Sequence, residues 1–275
     1  MKLYDFDGMF EEKLAEYIKR DPGRLSEEEW EDAIPRLYEK FGGTVIKSIG
    51  TTPRGFYAAQ SDEQLFAGLS AHLKRGVPVN KFLRDEVEKR RRADLLLPLL
   101  GGGEDEALFA VNVLGAERSA LPVYLGLVTS GDSDEVRNAC IDCLKEAADD
   151  VKESVADLCE KGVSTEYMLE ILSCCKARDE RVFTLLLNAF RTAESDALAR
   201  RAGYLAAYGD ERAIPYLVAR IEEDGISYAD FRDLKFYIEV LGGSYDAQRD
   251  FSSDPDYELI KSHGATDVDI FKNFK

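Results

Sequence analysis

Cysteine and histidine are the first residues to test for chemistry, because thiolates and imidazoles serve as nucleophiles, bases and zinc ligands near neutral pH. Cys140-x-x-Cys143 has the spacing of half a zinc site or of a redox pair. A structural zinc needs a second such pair, and Cys159, Cys174 and Cys175 do not form one. A redox pair opens a helix after a strand, whereas residues 134–144 read as the body of a helix. The five cysteines, all in segments that read as helical, are therefore expected to be reduced thiols of a core. Neighbours on a helix point about 100° apart, so Cys174 and Cys175 cannot both be buried, and one is expected to be exposed and oxidisable. His72 is expected at the edge of its helix and His263 in the C-terminal tail. Neither has a recognisable partner motif for a nucleophilic triad. Gly101-Gly102-Gly103 lacks the Lys-Ser/Thr pair of a phosphate loop and reads as a turn. Asp149-Asp150, Glu222-Glu223-Asp224 and Asp254-x-Asp256 read as solvated turns and helix ends, without calcium-loop spacing. No catalytic, cofactor-binding or metal-ligating residue is assigned.

The charge balance points the same way. With 36 basic and 53 acidic residues the formal net charge is −17. Such a surface repels phosphate backbones and anionic lipid, so nucleic acid and membrane are disfavoured as partners, while a basic protein partner would be attracted. The one basic cluster, Lys89-Arg90-Arg91-Arg92, is spread around a helix and makes no flat patch. Met1–Asp7 shows no signal-peptide pattern. The longest apolar stretch, Leu95-Leu96-Leu97-Pro98-Leu99-Leu100, is far below the roughly 20 residues that cross a bilayer. A cytoplasmic, all-α protein is expected.

The elements that would position any site fall into three regions. Residues 1–80 are helical but do not repeat. Phe10, Leu14, Tyr17 and Ile18 recur at helical spacing before Asp21-Pro22-Gly23. Ser26 and Glu29 form a capping box for a second helix with Trp30, Ile34, Leu37, Tyr38 and Phe41 on its apolar stripe, ended by Gly42-Gly43 in left-handed backbone. Thr44–Ile49 fits a short strand or a loop, and Thr51–Gly55 reads as irregular. Asp62 is expected to cap a third helix, and one helix of about 20 residues is expected from Asn80 to Leu100.

Residues 81–243 show a period. Leu114, Leu144, Leu172, Leu205 and Ile238 are spaced by 30, 28, 33 and 33 residues. Pro122, Val151, Val182 and Pro215 are spaced by 29, 31 and 33. A period of this length suits a helix–turn–helix unit that cannot bury its apolar face alone and stacks on its neighbours. Leu205-Ala206-Ala207-Tyr208-Gly209-Asp210-Glu211-Arg212-Ala213-Ile214-Pro215-Tyr216-Leu217 and Asp134–Leu144 resemble the inter-helix turn and first helix of HEAT-like repeats of the phycobilisome-lyase type. The resemblance spans about residues 90–243 and is best over 197–224. It implies an α-solenoid of four to five helix pairs, in a family whose members mostly act as scaffolds and whose lyase members attach chromophores.

Residues 244–275 carry Phe251, Tyr257, Leu259, Ile260, Ile270, Phe271 and Phe274. They read as a cap over the last repeat, or as a segment that binds another copy or a partner. The expected function is a non-enzymatic scaffold, without cofactor, that holds a partner segment on the concave face with Tyr204, Tyr208 and Tyr216 as anchors. The competing class is a HEAT-like enzyme or enzyme accessory, chromophore lyase-like or DNA glycosylase-like.

Overall fold

The structure, a computed structural model, describes residues 3–21, 23–254 and 257. Among these, regular structure is entirely helical apart from one isolated antiparallel bridge, Ile46 to Thr51. No described helix is long and apolar enough to cross a membrane. The chain divides into two compact units, Met1–Leu127 with Gly131–Cys140, and Val128–Ser130 with Ile141–Lys275.

The first unit contains α1 (Phe6–Arg20), α2 (Glu27–Gly42), α3 (Pro53–Ala58), α4 (Asp62–Lys74), α5 (Lys81–Arg90), α6 (Ala93–Leu96) and α7 (Glu104–Leu114). Its core joins Phe6, Tyr57, Leu65 and Leu69 to Phe82, Leu83 and Phe109, so the helices before and after Asn80 share one apolar centre. The Ser26–Glu29 capping box forms as expected, with Ser26 N donating to the Glu29 carboxylate at 2.8 Å. Several expectations are corrected. Gly43 has φ −99°, and the α2 end needs glycine for space rather than handedness: a Cβ on Gly42 would lie 2.3 Å from the Phe82 ring. Thr51–Gly55 is not irregular, because Thr52 caps α3 and Pro53 fits its first turn. Ser61, not Asp62, caps α4, in a second capping box with Gln64. The helix expected from Asn80 to Leu100 breaks at Arg91, which adopts φ 49°. Arg90 and Arg92 then converge on Asp62, with Arg90 also 2.9 Å from Glu86 and Arg92 2.7 Å from Asp94. Lys89, Arg90 and Arg92 of the basic cluster are thus bound to carboxylates.

The two units divide within α8 (Leu121–Ser130) and α9 (Asp134–Glu146). The second unit continues with α10 (Ala148–Glu160), α11 (Thr165–Ser173), α12 (Glu180–Arg191), α13 (Ser195–Tyr208), α14 (Ile214–Ile221) and α15 (Tyr228–Val240). The periodic residues from Leu144 onward fall into register, whereas Leu114, on α7, is only half-buried. Leu144, Leu172, Leu205 and Ile238 lie on α9, α11, α13 and α15, all fully buried, and Val151, Val182 and Pro215 lie on α10, α12 and α14. α10 packs on α11, α11 on α12, α12 on α13 and α14 on α15, and alternate helices also touch: α10 with α12, α11 with α13, α13 with α15. Small residues permit this approach, as Ala202 and Ala206 are buried and Gly203 faces the Tyr237 ring. Beyond α15, Phe251 packs 4.9 Å from Phe231 and 5.2 Å from Tyr228, and Tyr245 packs 6.0 Å from Phe231. The start of the tail therefore covers α15. Leu259, Ile260, His263, Ile270, Phe271 and Phe274 lie outside the described residues.

Candidate interaction surface

The start of α10, the α11–α12 turn and the α13–α14 turn are tied to one another. Asp149, in the first turn of α10, accepts from the amides of Lys176 (3.3 Å) and Ala177 (3.1 Å) in the α11–α12 turn. Lys152 reaches Asp179 at 2.6 Å, and Asp179 also caps α12 by accepting from Arg181 N at 2.9 Å. The same turn is held from its other side. Arg178 donates to the Tyr208 carbonyl at 2.8 Å and to that of Gly209, and Arg212 pairs with Glu180 at 2.8 Å. Tyr208 Oη accepts from Asp179 N at 2.7 Å and donates to Asp179 O at 3.1 Å. Gly209 ends α13 with φ 73°, and Asp210 accepts from Arg212 N at 3.0 Å, so the local chemistry read from the turn is present. Farther along the helices, Arg201 pairs with Glu166 at 2.6 Å, Arg200 approaches it at 3.2 Å, and Lys145 pairs with Glu170 at 2.9 Å. Arg181 is ringed by Glu153, Asp157 and Glu160.

Two turn carboxyls are acid-labile by this geometry. The Arg212 guanidinium holds Asp210 below the ordinary carboxylate range, and the Lys152 ammonium does the same for Asp179. A carboxyl whose folded pKa is depressed contributes stability above its unfolded value, 3.8 here, and loses it as pH falls through the folded value. The urea midpoint is therefore expected to hold steady down to about pH 5 and to drop as these carboxylates protonate. Asp210→Asn should flatten part of that drop. An unchanged acid profile in the variant would show that the Asp210–Arg212 contact carries no stability.

The structure does not bring the three expected anchors together as one exposed set. Tyr208 is 4% exposed and spent on Asp179. Tyr204 is half-buried on α13, and burial, with the Glu166 and Glu170 carboxylates adding to it, pushes its hydroxyl up to about 12. Tyr216, on α14, is 41% exposed. Two further apolar residues are exposed on α15, Phe236 at 58% and Val240 at 54%. The helical period distinguishes them: Phe231, Leu234 and Ile238 make the buried stripe, and positions 236 and 240 fall on the opposite side.

The residues tested for chemistry are placed mostly inside. Cys140 and Cys143 lie within α9, with Cys140 buried and Cys143 half-buried. Cys174 and Cys175 lie just beyond α11 rather than within it; Cys175 is buried and Cys174 is half-buried rather than exposed. Burial pushes Cys143 and Cys159 above the usual thiol value and Cys175 up to about 11, the reverse of what a nucleophilic thiol requires. Iodoacetamide is expected to label Cys174 first and to reach Cys140, Cys159 and Cys175 only on unfolding. Peptide mapping that found Cys175 labelled early in native protein would contradict this placement. His72 lies in the last turn of α4 and is buried, 2% exposed, with Nδ1 3.1 Å from the Pro78 carbonyl, a bond that holds the chain following α4. Glu106 is also buried. Its carboxylate accepts from Ser70 Oγ at 2.7 Å and lies 3.6 Å from Lys74 Nζ; burial raises its pKa, but these partners and Gly103 N outweigh it and leave the group ionised. Among the described residues no cluster of three or more His, Cys, Asp or Glu has the arrangement of a metal site. Compared with protein families, curated proteins and solved structures, the chain matches none.

Proposed function

We propose that this chain is a non-enzymatic interaction module of the cytoplasm. In this reading the helix pairs of the second unit form a short HEAT-like α-solenoid that holds a protein partner segment. The observation that carries it is the ladder of tied turns, in which Asp149, Lys152, Arg178, Tyr208 and Arg212 fasten the α11–α12 turn to α10 on one side and to the α13–α14 turn on the other. Such a framework fixes a row of side chains over a long surface without devoting polar groups to a reacting centre. The exposed Tyr216 and Phe236 are the anchors this reading assigns, with Tyr208 serving the framework. Large aromatics are favoured in this role because a few of them carry most of the energy of an interface. A glycosylase-like alternative needs cations aimed at phosphates, whereas Lys152, Arg181, Arg201 and Arg212 are engaged with carboxylates.

The test uses the full chain and a partner recovered with it from its native cells. Tyr216→Ala with Phe236→Ala is expected to weaken that complex about thirtyfold or more, the scale of one lost hot spot of about 2 kcal/mol, with circular dichroism unchanged. Unchanged affinity in the double variant, or retention abolished by nuclease, would overturn the reading.

A further inference from the structure

α1 and α2 are long for what they bury. Of the fifteen residues of α1 only Phe6 is buried, and of the sixteen of α2 only Phe41 and Gly42. Helices of this length are marginal without an apolar face covered by tertiary contacts. Between them runs a groove of about 810 Å³ whose floor is Phe10, Leu14, Tyr17, Trp30, Leu37 and Phe41. Tyr17 is 42% exposed and Leu37 37%.

The rim has a sign opposite to that of the chain. Lys13, Arg24, Arg36 and Lys40 line the groove against two carboxylates, Glu29 and Asp32, and the Glu29 carboxylate is already engaged by Ser26 N. Four cations at one groove stand out in a chain of net charge −17. Two already lie over rings of the floor, Lys13 5.5 Å from the Phe41 centroid and Arg24 5.4 Å from that of Tyr17.

We propose that this groove docks an amphipathic helix from another protein, with apolar residues on one face and carboxylates along its flanks. The walls are helices, so there is no strand edge for an extended peptide, and a third helix is what two helices flanking a groove accept. At about 1.5 Å per residue, fifteen-residue walls span about 22 Å, the length of four helical turns. The carboxylates would meet Lys13, Arg24, Arg36 and Lys40 at the rim, while Trp30, Tyr17 and the arginines are the residue types that most often dominate interface energy. A second copy fits less well, because a two-fold pairing of this groove would set the same four cations against each other.

Trp30 is the only tryptophan of the chain, so its emission reports on the groove directly. The probe is a synthetic eighteen-residue helical peptide with a leucine stripe flanked by glutamates, titrated into the full chain. The control is the same peptide with lysines for glutamates. A saturable blue shift of Trp30 emission is expected, with the glutamate peptide at least tenfold tighter. Lys13→Glu with Arg36→Glu should abolish that preference, and Leu37→Glu should remove binding. Lys13, Arg36 and Leu37 are exposed, and circular dichroism checks that each variant stays folded. No emission change with the glutamate peptide, equal binding of both peptides, or a shift that appears with protein concentration alone and tracks dimerisation by light scattering would each overturn the proposal.

Discussion

Tyr208→Ala is expected to cost about 3–5 kcal/mol, measured as the shift in urea midpoint at constant slope, and Tyr208→Phe about 1–2 kcal/mol. The larger figure follows from burial. The ring is 4% exposed, the Arg178 guanidinium lies 5.3 Å from its centroid, and its removal leaves a cavity between the end of α13 and the start of α12. The smaller figure isolates the hydroxyl. It satisfies both the amide and the carbonyl of Asp179, at 2.7 and 3.1 Å, and phenylalanine leaves both without that partner. The pair of variants separates ring packing from the polar link between successive helix pairs. If Tyr208→Phe were neutral while Tyr208→Ala remained costly, the turns would be held by packing alone.

Phe251→Ala is expected to cost about 3 kcal/mol, near the low end for a buried phenylalanine because the ring sits at the margin of the fold. Phe251 is 8% exposed and touches both Phe231 and Tyr228, while nearby Arg249 donates to the Ile221 carbonyl at 2.7 Å and that of Glu223 at 3.0 Å, and the Asp254 carboxylate accepts from Tyr228 N at 2.8 Å. Stripping this cover exposes the apolar Phe231 side of α15 to water. Differential scanning calorimetry and static light scattering check it together. The variant should melt earlier and associate, whereas an unchanged melting temperature would mean that residues 244–254 lie on α15 without stabilising it.

Those two sites show what the chain's sequence makes legible and what it does not. The period of about 30 residues placed Leu144, Leu172, Leu205 and Ile238 on alternate buried helices, because apolar spacing is a direct record of which face must be covered. The turn at Tyr208-Gly209-Asp210 was readable for the same kind of reason, since positive φ and helix capping each demand particular residue types. What Tyr208 itself does was not readable. Its partner, Asp179, is 29 residues away, and a tyrosine that fills a framework and one that waits on a surface look alike in one dimension. The break at Arg91 was hidden because arginine is a good helix former, and only the pull of Asp62 on both Arg90 and Arg92 accompanies the turn. The exposed Phe236 was within reach, since it falls off the stripe of Phe231, Leu234 and Ile238. The groove between α1 and α2 was visible only as two amphipathic stripes; that they stay uncovered is a tertiary fact.

Nuclear Overhauser contacts in the labelled full chain test the stacking of helix pairs most directly. A contact is expected between the Tyr208 ring and the Asp179 amide, and a second between the Gly203 α-protons and the Tyr237 ring, because a Cβ at Gly203 would stand 3.3 Å from that ring. Both tie α13 to its neighbours on either side. A spectrum in which α13 contacts neither Asp179 nor Tyr237 would contradict the ordered stack and the scaffold reading built on it.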